Sequence, residues 1–510
     1  MLYKRRLRNV GSLLAIGSLL TFNACQDHRL SPNPATLPDA TIYALNDANQ
    51  LLRLNIRNSN APLATIGITG AGLQNGERML SIDFRPATGQ LYGVSNMSRL
   101  FVINPATGEA RPLTTAQFTP GVAGMIIGLD FNPTVDRIRL VSNNGQDLRL
   151  NPETGTVAAV DGSINGVSGA MISAVAYTNN RAGATTTTLY DIDPATDRLY
   201  IQNPPNNGTL TDVGPLGLDI TGAAGFDIAP DGNGLVAVTF NGSSELQQIN
   251  LSTGRLQKLG DLPGTIIGLA IPTEPVAYAI DGSNNLLIFN PMNPSPITKT
   301  ITGLQSGEMI YGIDFRPVNG QLYAIGSTSR LYTINASSGA AALVGTGPLS
   351  TLLSGNDVGF DFNPTVDRIR VTTNTGQNLR LNPNDGAVAA IDGALNPGMP
   401  NVTASAYTNN FAGATTTTLY NIDTQTNMAM LFQQTPPNAG TLVPVGSLGF
   451  TAESANGFDI GGTSGTAYAL LRSNGSTRIY TINLMNGAST SGALLPGNPI
   501  IRGFALGLGF

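Results

Sequence analysis

The chain has 510 residues, a net charge of −5 and a pI near 5.0, which is too long for one hydrophobic core and lacks the basic surface a nucleic-acid partner needs. One Cys (Cys25), one His (His28) and no Trp remove thiol nucleophiles, His-based triads and Cys/His zinc sites from the body of the chain. Carboxylate chemistry, an oxygen-ligated metal such as calcium, or binding without chemistry remain.

Lys4, Arg5, Arg6 and Arg8 precede an apolar stretch from Val10 to Leu20, followed by Thr21-Phe22-Asn23-Ala24-Cys25. A basic start, a short apolar run and a small residue before the cut describe a secretory signal over 1–24. The run is too short for a permanent bilayer span. A Cys at this place resembles a bacterial lipobox, with Cys25 as the lipidated first mature residue; Phe22 and Asn23 depart from the usual pattern. Residues 25–40 are polar and Pro-rich and read as a lipidated tether. The expectation is an exported protein of the bacterial envelope, an outer-membrane lipoprotein that meets the membrane through its lipid alone.

From residue 41 the chain is rich in turn-forming Gly and Pro, 60 and 32 in all, both poor in helix interiors. Short apolar or alternating runs between them predict strands throughout. The runs come in sets. IYALND, LLRLNI and LATIGIT (42–69) make an incomplete one. Four-strand sets follow at 80–115, 127–162, 172–216 and 224–262. Four strands at a period of roughly 46 residues predict β-propeller blades. Leu100–Ile103 and Leu331–Ile334 are apolar on nearly every side, as strands covered by a blade on each face must be.

The whole series then repeats. DFNPTVDRIR at 130–139 recurs unchanged at 361–370, AYTNN at 176–180 recurs at 406–410, and AGATTTTLY at 182–190 recurs at 412–420. The chain is therefore expected to be all-β, two tandem five-bladed propellers over 41–273 and 274–510, with one ten-bladed ring as the alternative. The incomplete opening set needs a closing strand from elsewhere, either 266–271 or 500–510. If both close, there are two rings; if the second alone closes, there is one.

The strings DFNPTVDRIRLVSNNGQDLRLNPETG (130–155) and DFNPTVDRIRVTTNTGQNLRLNPNDG (361–386), with AYTNN and AGATTTTLY, resemble the domain-of-unknown-function 4394 family in two copies. The resemblance implies propeller-like bacterial exported proteins and brings no catalytic residue. The second copy departs at Asn421, where the first has Asp191, and at Asn427-Met428-Ala429-Met430, where the first has Asp197-Arg198-Leu199-Tyr200.

Asp83, Asp130, Asp227, Asp314, Asp361 and Asp459 recur at the ends of inner strands. They can ring a channel, bind calcium or act in pairs. The competing structural reading has them accept backbone N–H bonds or pair with Arg85, Arg139, Arg316 and Arg370. Asp136 with Arg139, and Asp367 with Arg370, offer either a grip on an anion or a network between blades. Tyr177, Asn179 and Asn180, repeated as Tyr407, Asn409 and Asn410, sit in a polar insertion that can contact a sugar or peptide, or merely brace a turn. The long loops 113–125 and 345–357 are the expected binding face. Together these readings favour a non-catalytic binding or scaffold module with a protein or polysaccharide ligand. The alternative is a carboxylate-dependent glycoside hydrolase or lyase, by analogy of fold.

Overall fold

The computed structural model describes residues 37–510, except 223–224, 425–427 and 454–455. Cys25 and the signal lie outside the described residues. Within them the strands form ten four-stranded antiparallel sheets. Most are simple meanders, such as Met79–Phe84, Leu91–Ser95, Leu100–Ile103 and Ala110–Pro112. Two borrow a strand. Thr41–Asn46 pairs with Ile266–Ala270, Ala44 opposite Leu269. Ala277–Asp281 pairs with Ile501–Leu506, Ala279 opposite Phe504. Both candidate closing strands are used, each within its own half, so there are two five-bladed rings and not one of ten blades.

The inner strands complete the circles. Met79–Phe84 packs on Ile127–Asn132, then come Ala174–Tyr177, Gly225–Ile228 and Ile266–Ala270, which returns to Met79–Phe84. In the second ring Ile310–Arg316, Val358–Asn363, Val402–Tyr407, Gly457–Ile460 and Ile501–Leu506 do the same. Inner strands such as Met79–Phe84 are buried at every position, whereas the outermost Val157–Val160 alternates half-buried and exposed. An inner strand is covered by two blades and by the axis; an outer strand meets water on one side.

A Gly-x-Asp pattern makes the close inner packing possible. It reads Gly128-Leu129-Asp130, Gly225-Phe226-Asp227, Gly312-Ile313-Asp314, Gly359-Phe360-Asp361 and Gly457-Phe458-Asp459. The two-residue period of a strand puts the Gly and the Asp on one face. A Cβ on Gly128 would lie 2.6 Å from the Val175 nitrogen, and one on Gly225 2.4 Å from that of Leu269. Farther out, edge-to-face rings lock neighbouring blades: Tyr92 on Phe131 at 5.1 Å and Tyr323 on Phe362 at 5.2 Å. Tyr278 meets Phe315 in the same way at 5.1 Å.

The rings touch through the turn after Met79–Phe84. Arg85 donates to the Gly320 carbonyl (3.1 Å), Tyr278 Oη to the Ala87 carbonyl (2.9 Å) and the Gly509 N–H to the Thr88 carbonyl (2.8 Å).

Candidate carboxylate centres and the cleft between the rings

At each axis three aspartates converge. Asp83, Asp130 and Asp227 each present a carboxylate oxygen within 4.8 Å of the others, as do Asp314, Asp361 and Asp459. The remaining two inner strands of the first ring carry Ala176 and Ala270 at the matching step: the residues after them, Tyr177 and Ile271, donate the next bonds in the series. Asp83 accepts from the N–H groups of Phe84 (2.7 Å) and Phe131 (2.8 Å). Asp130 accepts from Tyr177 N–H (3.1 Å), and Asp227 from Ile228 and Ile271 (2.6 Å each). Each aspartate thus ties its blade to the next through an N–H that strand pairing leaves over. The second ring repeats this with Phe315, Phe362, Tyr407, Ile460 and Leu506 as donors.

All six are between 0% and 1% exposed, which closes them to a polymeric substrate. Burial, then the facing Asp227, pushes Asp83 well above the usual carboxylate range; Asp130 is raised by burial, Asp83 and Asp227. Burial raises Asp227 to about 7 against the bonds from Ile271, Ile228 and Asn180. Asp314 and Asp361 rise for the same reasons as their counterparts, and Asp459 reaches about 7.

The arginines do not serve these aspartates, contrary to the pairing the sequence spacing suggested. Arg85 meets Asp136 of the next blade (2.5 Å) and Glu153 (2.8 Å), and Arg316 meets Asp367 (2.5 Å). Arg139 lies opposite Asp130 in the ladder but its guanidinium turns away. It bonds Asp147 and Asp161 (2.6 Å each), Tyr177 Oη (3.2 Å) and Asn206 Oδ1 (2.8 Å). Arg370 likewise meets Asn378, Asp392, Tyr407 and Asn438. Asp136 and Arg139 therefore belong to two separate networks between blades, and both are buried, so they do not form one exposed grip on an anion.

Tyr177, Asn180, Tyr407 and Asn410 are buried as well, not offered to a sugar. Tyr177 joins Asp130 through its N–H and Arg139 through its phenol, while Asn180 Nδ2 reaches Asp227 Oδ1 at 3.2 Å. Asn179 and Asn409 take positive φ, 57° and 58°, and bond the Thr186 and Thr416 carbonyls across the turn. The loops 113–125 and 345–357 fold back on the adjoining hairpins through Phe118 N–H to Ser98 and Leu349 N–H to Ser329.

The recess that sequence reasoning missed lies between the rings, with a volume of about 310 Å³. Tyr43, Phe84 and Arg111 line it from the first ring, and Phe411 and Phe510 from the second. Phe411 is 42% exposed. The available signal was that AYTNN continues as Arg181 in the first copy and as Phe411 in the second.

Among known proteins, a family model described as Domain of unknown function (DUF4394) matches residues 50–270 and 285–505. No curated protein matches the chain. Solved structures resemble it at low identity. One is the extracellular domain of a protein described as a hybrid two component system of B. thetaiotaomicron: 13% identity, 89% of this chain, 65% of that one, TM-score 0.26. A second is PorZ of Porphyromonas gingivalis, described as a bacterial surface component of the type-IX secretion system: 14% identity, 91% of this chain, 68% of that one, TM-score 0.26. The chain thus spans just under two thirds of the first of these.

Proposed function

Since the chain belongs to the domain-of-unknown-function 4394 family in two tandem copies, we propose a role for it from its own sequence and geometry: a lipid-anchored binding or scaffold module of the bacterial envelope, the anchor resting on the sequence alone. In this reading residues 1–24 are a signal, 25–40 a lipidated tether, and 41–273 and 274–510 the two rings. The observation that carries it is the recess between the rings, where Phe411 stands exposed beside Arg111, Tyr43 and Phe510. A concave, largely apolar site with a few polar groups is the usual form of a ligand site. The axial carboxylates, the natural place for hydrolysis, are buried. The lipobox-like Thr21 to Cys25 supports the anchor and the outer-membrane address. The ligand class is a protein segment or a polysaccharide.

The test has two arms. Soluble 33–510 is passed over bacterial, plant and host polysaccharides and envelope extracts, measuring retention and reducing-end release together. Retention without release, lost in Phe411→Arg, is expected; release of new ends overturns the binding reading. In cells, an alkynyl fatty acid should label the wild type and not Cys25→Ser; an unlabelled wild type removes the anchor.

A further inference from the structure

We propose that each ring axis is a divalent-cation site, calcium by its ligand set, held by Asp83, Asp130 and Asp227 in the first ring and by Asp314, Asp361 and Asp459 in the second. The ligands are oxygens alone, which suits a hard cation. In each ring one oxygen from every carboxylate lies within 4.8 Å of the other two. Three oxygens within that limit share a point no more than about 2.8 Å from each, so a small inward movement brings all three to the calcium–oxygen distance of about 2.4 Å.

The hydrogen bonding leaves room for it. Every axial N–H in the series is used, yet Asp130 Oδ2 is buried without a partner. It sits on a carboxylate that accepts a single bond, from Tyr177. Beside the centre, Asn180 Oδ1 is also buried and unpartnered, on the amide whose Nδ2 bonds Asp227. Asn410, its counterpart, has an unpartnered buried Oδ1 too. A buried acceptor without a donor is costly, and a bound cation would resolve the two at the first axis; the second axis has the same carboxylate triad and the unpartnered Asn410 Oδ1. Charge points the same way. No Arg or Lys among the described residues forms an ion pair with any of the six, and three like charges packed out of water repel strongly. A cation here pins three of the five blades of each ring to the axis.

Because the sites are closed, metal content is read before exchange is attempted. Soluble 33–510, which holds both rings entire, is purified without chelator from medium containing calcium and analysed by plasma mass spectrometry. Two ions per chain are expected, one in Asp130→Asn or in Asp361→Asn, and none in the double variant. Wild type is then unfolded in guanidinium chloride containing EDTA, freed of the chelator, and refolded with calcium, magnesium or neither. Calcium should raise Tm by about 5 °C over the metal-free sample. The wild-type measurements need no variant to fold. Metal-free native protein, with one Tm in all three refolding conditions, overturns the proposal and leaves shared protons as the neutralising charge.

Discussion

Asp191 and Asn421 hold the same position in the two rings, and Asn421 alone of the two has partners for its side chain. Asn421 donates to Gln434 Oε1 at 3.0 Å and accepts from Ser405 at 2.6 Å. Neither oxygen of Asp191 has a partner, nor has Oε1 of Gln202, the counterpart of Gln434. Gln202 cannot turn its amide round, because Nε2 is committed to Asp147 Oδ2 and the Pro205 carbonyl. Across the strand, Val175 replaces Ser405. At a pH that ionises Asp191, Asp191→Asn should therefore gain the Gln202 bond and stabilise the first ring by about 1 kcal/mol, raising its Tm by about 2–4 °C; where the acid keeps its proton, its own O–H can serve Gln202 and the gain should vanish. Asn421→Asp should lower the Tm of the second. Calorimetry of both variants checks this; an unstable Asp191→Asn would mean that the acid has a partner the geometry does not supply.

The same corner makes the first ring sensitive to pH. Burial outweighs the Arg139 guanidinium, which Asp147 shares with Asp161, and pushes Asp147 up to about 6. Burial, then Asp147, holds Asp191 well above its usual range. The native state thus keeps protons that the unfolded chain has released. Stability from these groups is complete below about pH 4 and is lost as pH rises through about 6 for Asp147 and through the raised range of Asp191. Asp147 alone accounts for about 3 kcal/mol. The second ring has Asn378 and Asn421 in these places. Asp147→Asn/Asp191→Asn should lessen the fall of Tm between about pH 4 and 7 and leave the part due to the axial aspartates, and an unchanged slope would remove Asp147 and Asp191 as contributors.

Strand count and blade period were legible because they rest on local turn chemistry and on the alternation of buried positions; closure was not, because both candidate closing strands were apolar and only their pairing partners decide between one ring and two. The axial aspartates were legible as a repeated feature, and their backbone bonds were among the readings the pattern allowed. Their partners were not. Arg139 is opposite Asp130 in the ladder, yet its long side chain reaches Asp147, Asp161 and Asn206 instead, a choice made by packing between blades. The recess at Phe411 was hidden for a similar reason. It exists only where two rings meet, and no spacing within one copy encodes that meeting.

The contact between rings breaks the equivalence of two ion pairs. Arg85 and Asp136 have side chains 0% and 1% exposed, whereas Arg316 and Asp367 are at 11% and 28%. The second ring covers the first pair, as the bond from Arg85 to the Gly320 carbonyl records. Removing one partner of a buried pair strands the other charge and costs about 3–5 kcal/mol, softened here by Glu153 at 2.8 Å. The partly buried Arg316–Asp367 pair is open to water on one side, so its loss falls between that cost and the roughly 1 kcal/mol or less of a fully exposed pair. Asp136→Ala should therefore lower the denaturation midpoint well beyond Asp367→Ala. Equal losses would show that the cover of the second ring does not isolate Arg85 from water.

Closure differs between the rings in one way that truncation can expose. The strand Ile266–Ala270 that closes the first ring lies inside the chain, while Ile501–Leu506, which closes the second, lies near residue 510. Deleting 500–510 strips Ala277–Asp281 of its inner neighbour, takes the Leu506 N–H from Asp459 (2.6 Å) and exposes the apolar faces that Phe504 and Leu506 cover. None of the first ring's own ladders is touched. Limited proteolysis of the truncated protein should leave a resistant first ring and digest the second. A resistant fragment reaching beyond Val358 would mean that four blades hold without closure. Loss of both rings would mean that the contacts of Arg85, Ala87 and Thr88 with the second ring are needed for the first to stand.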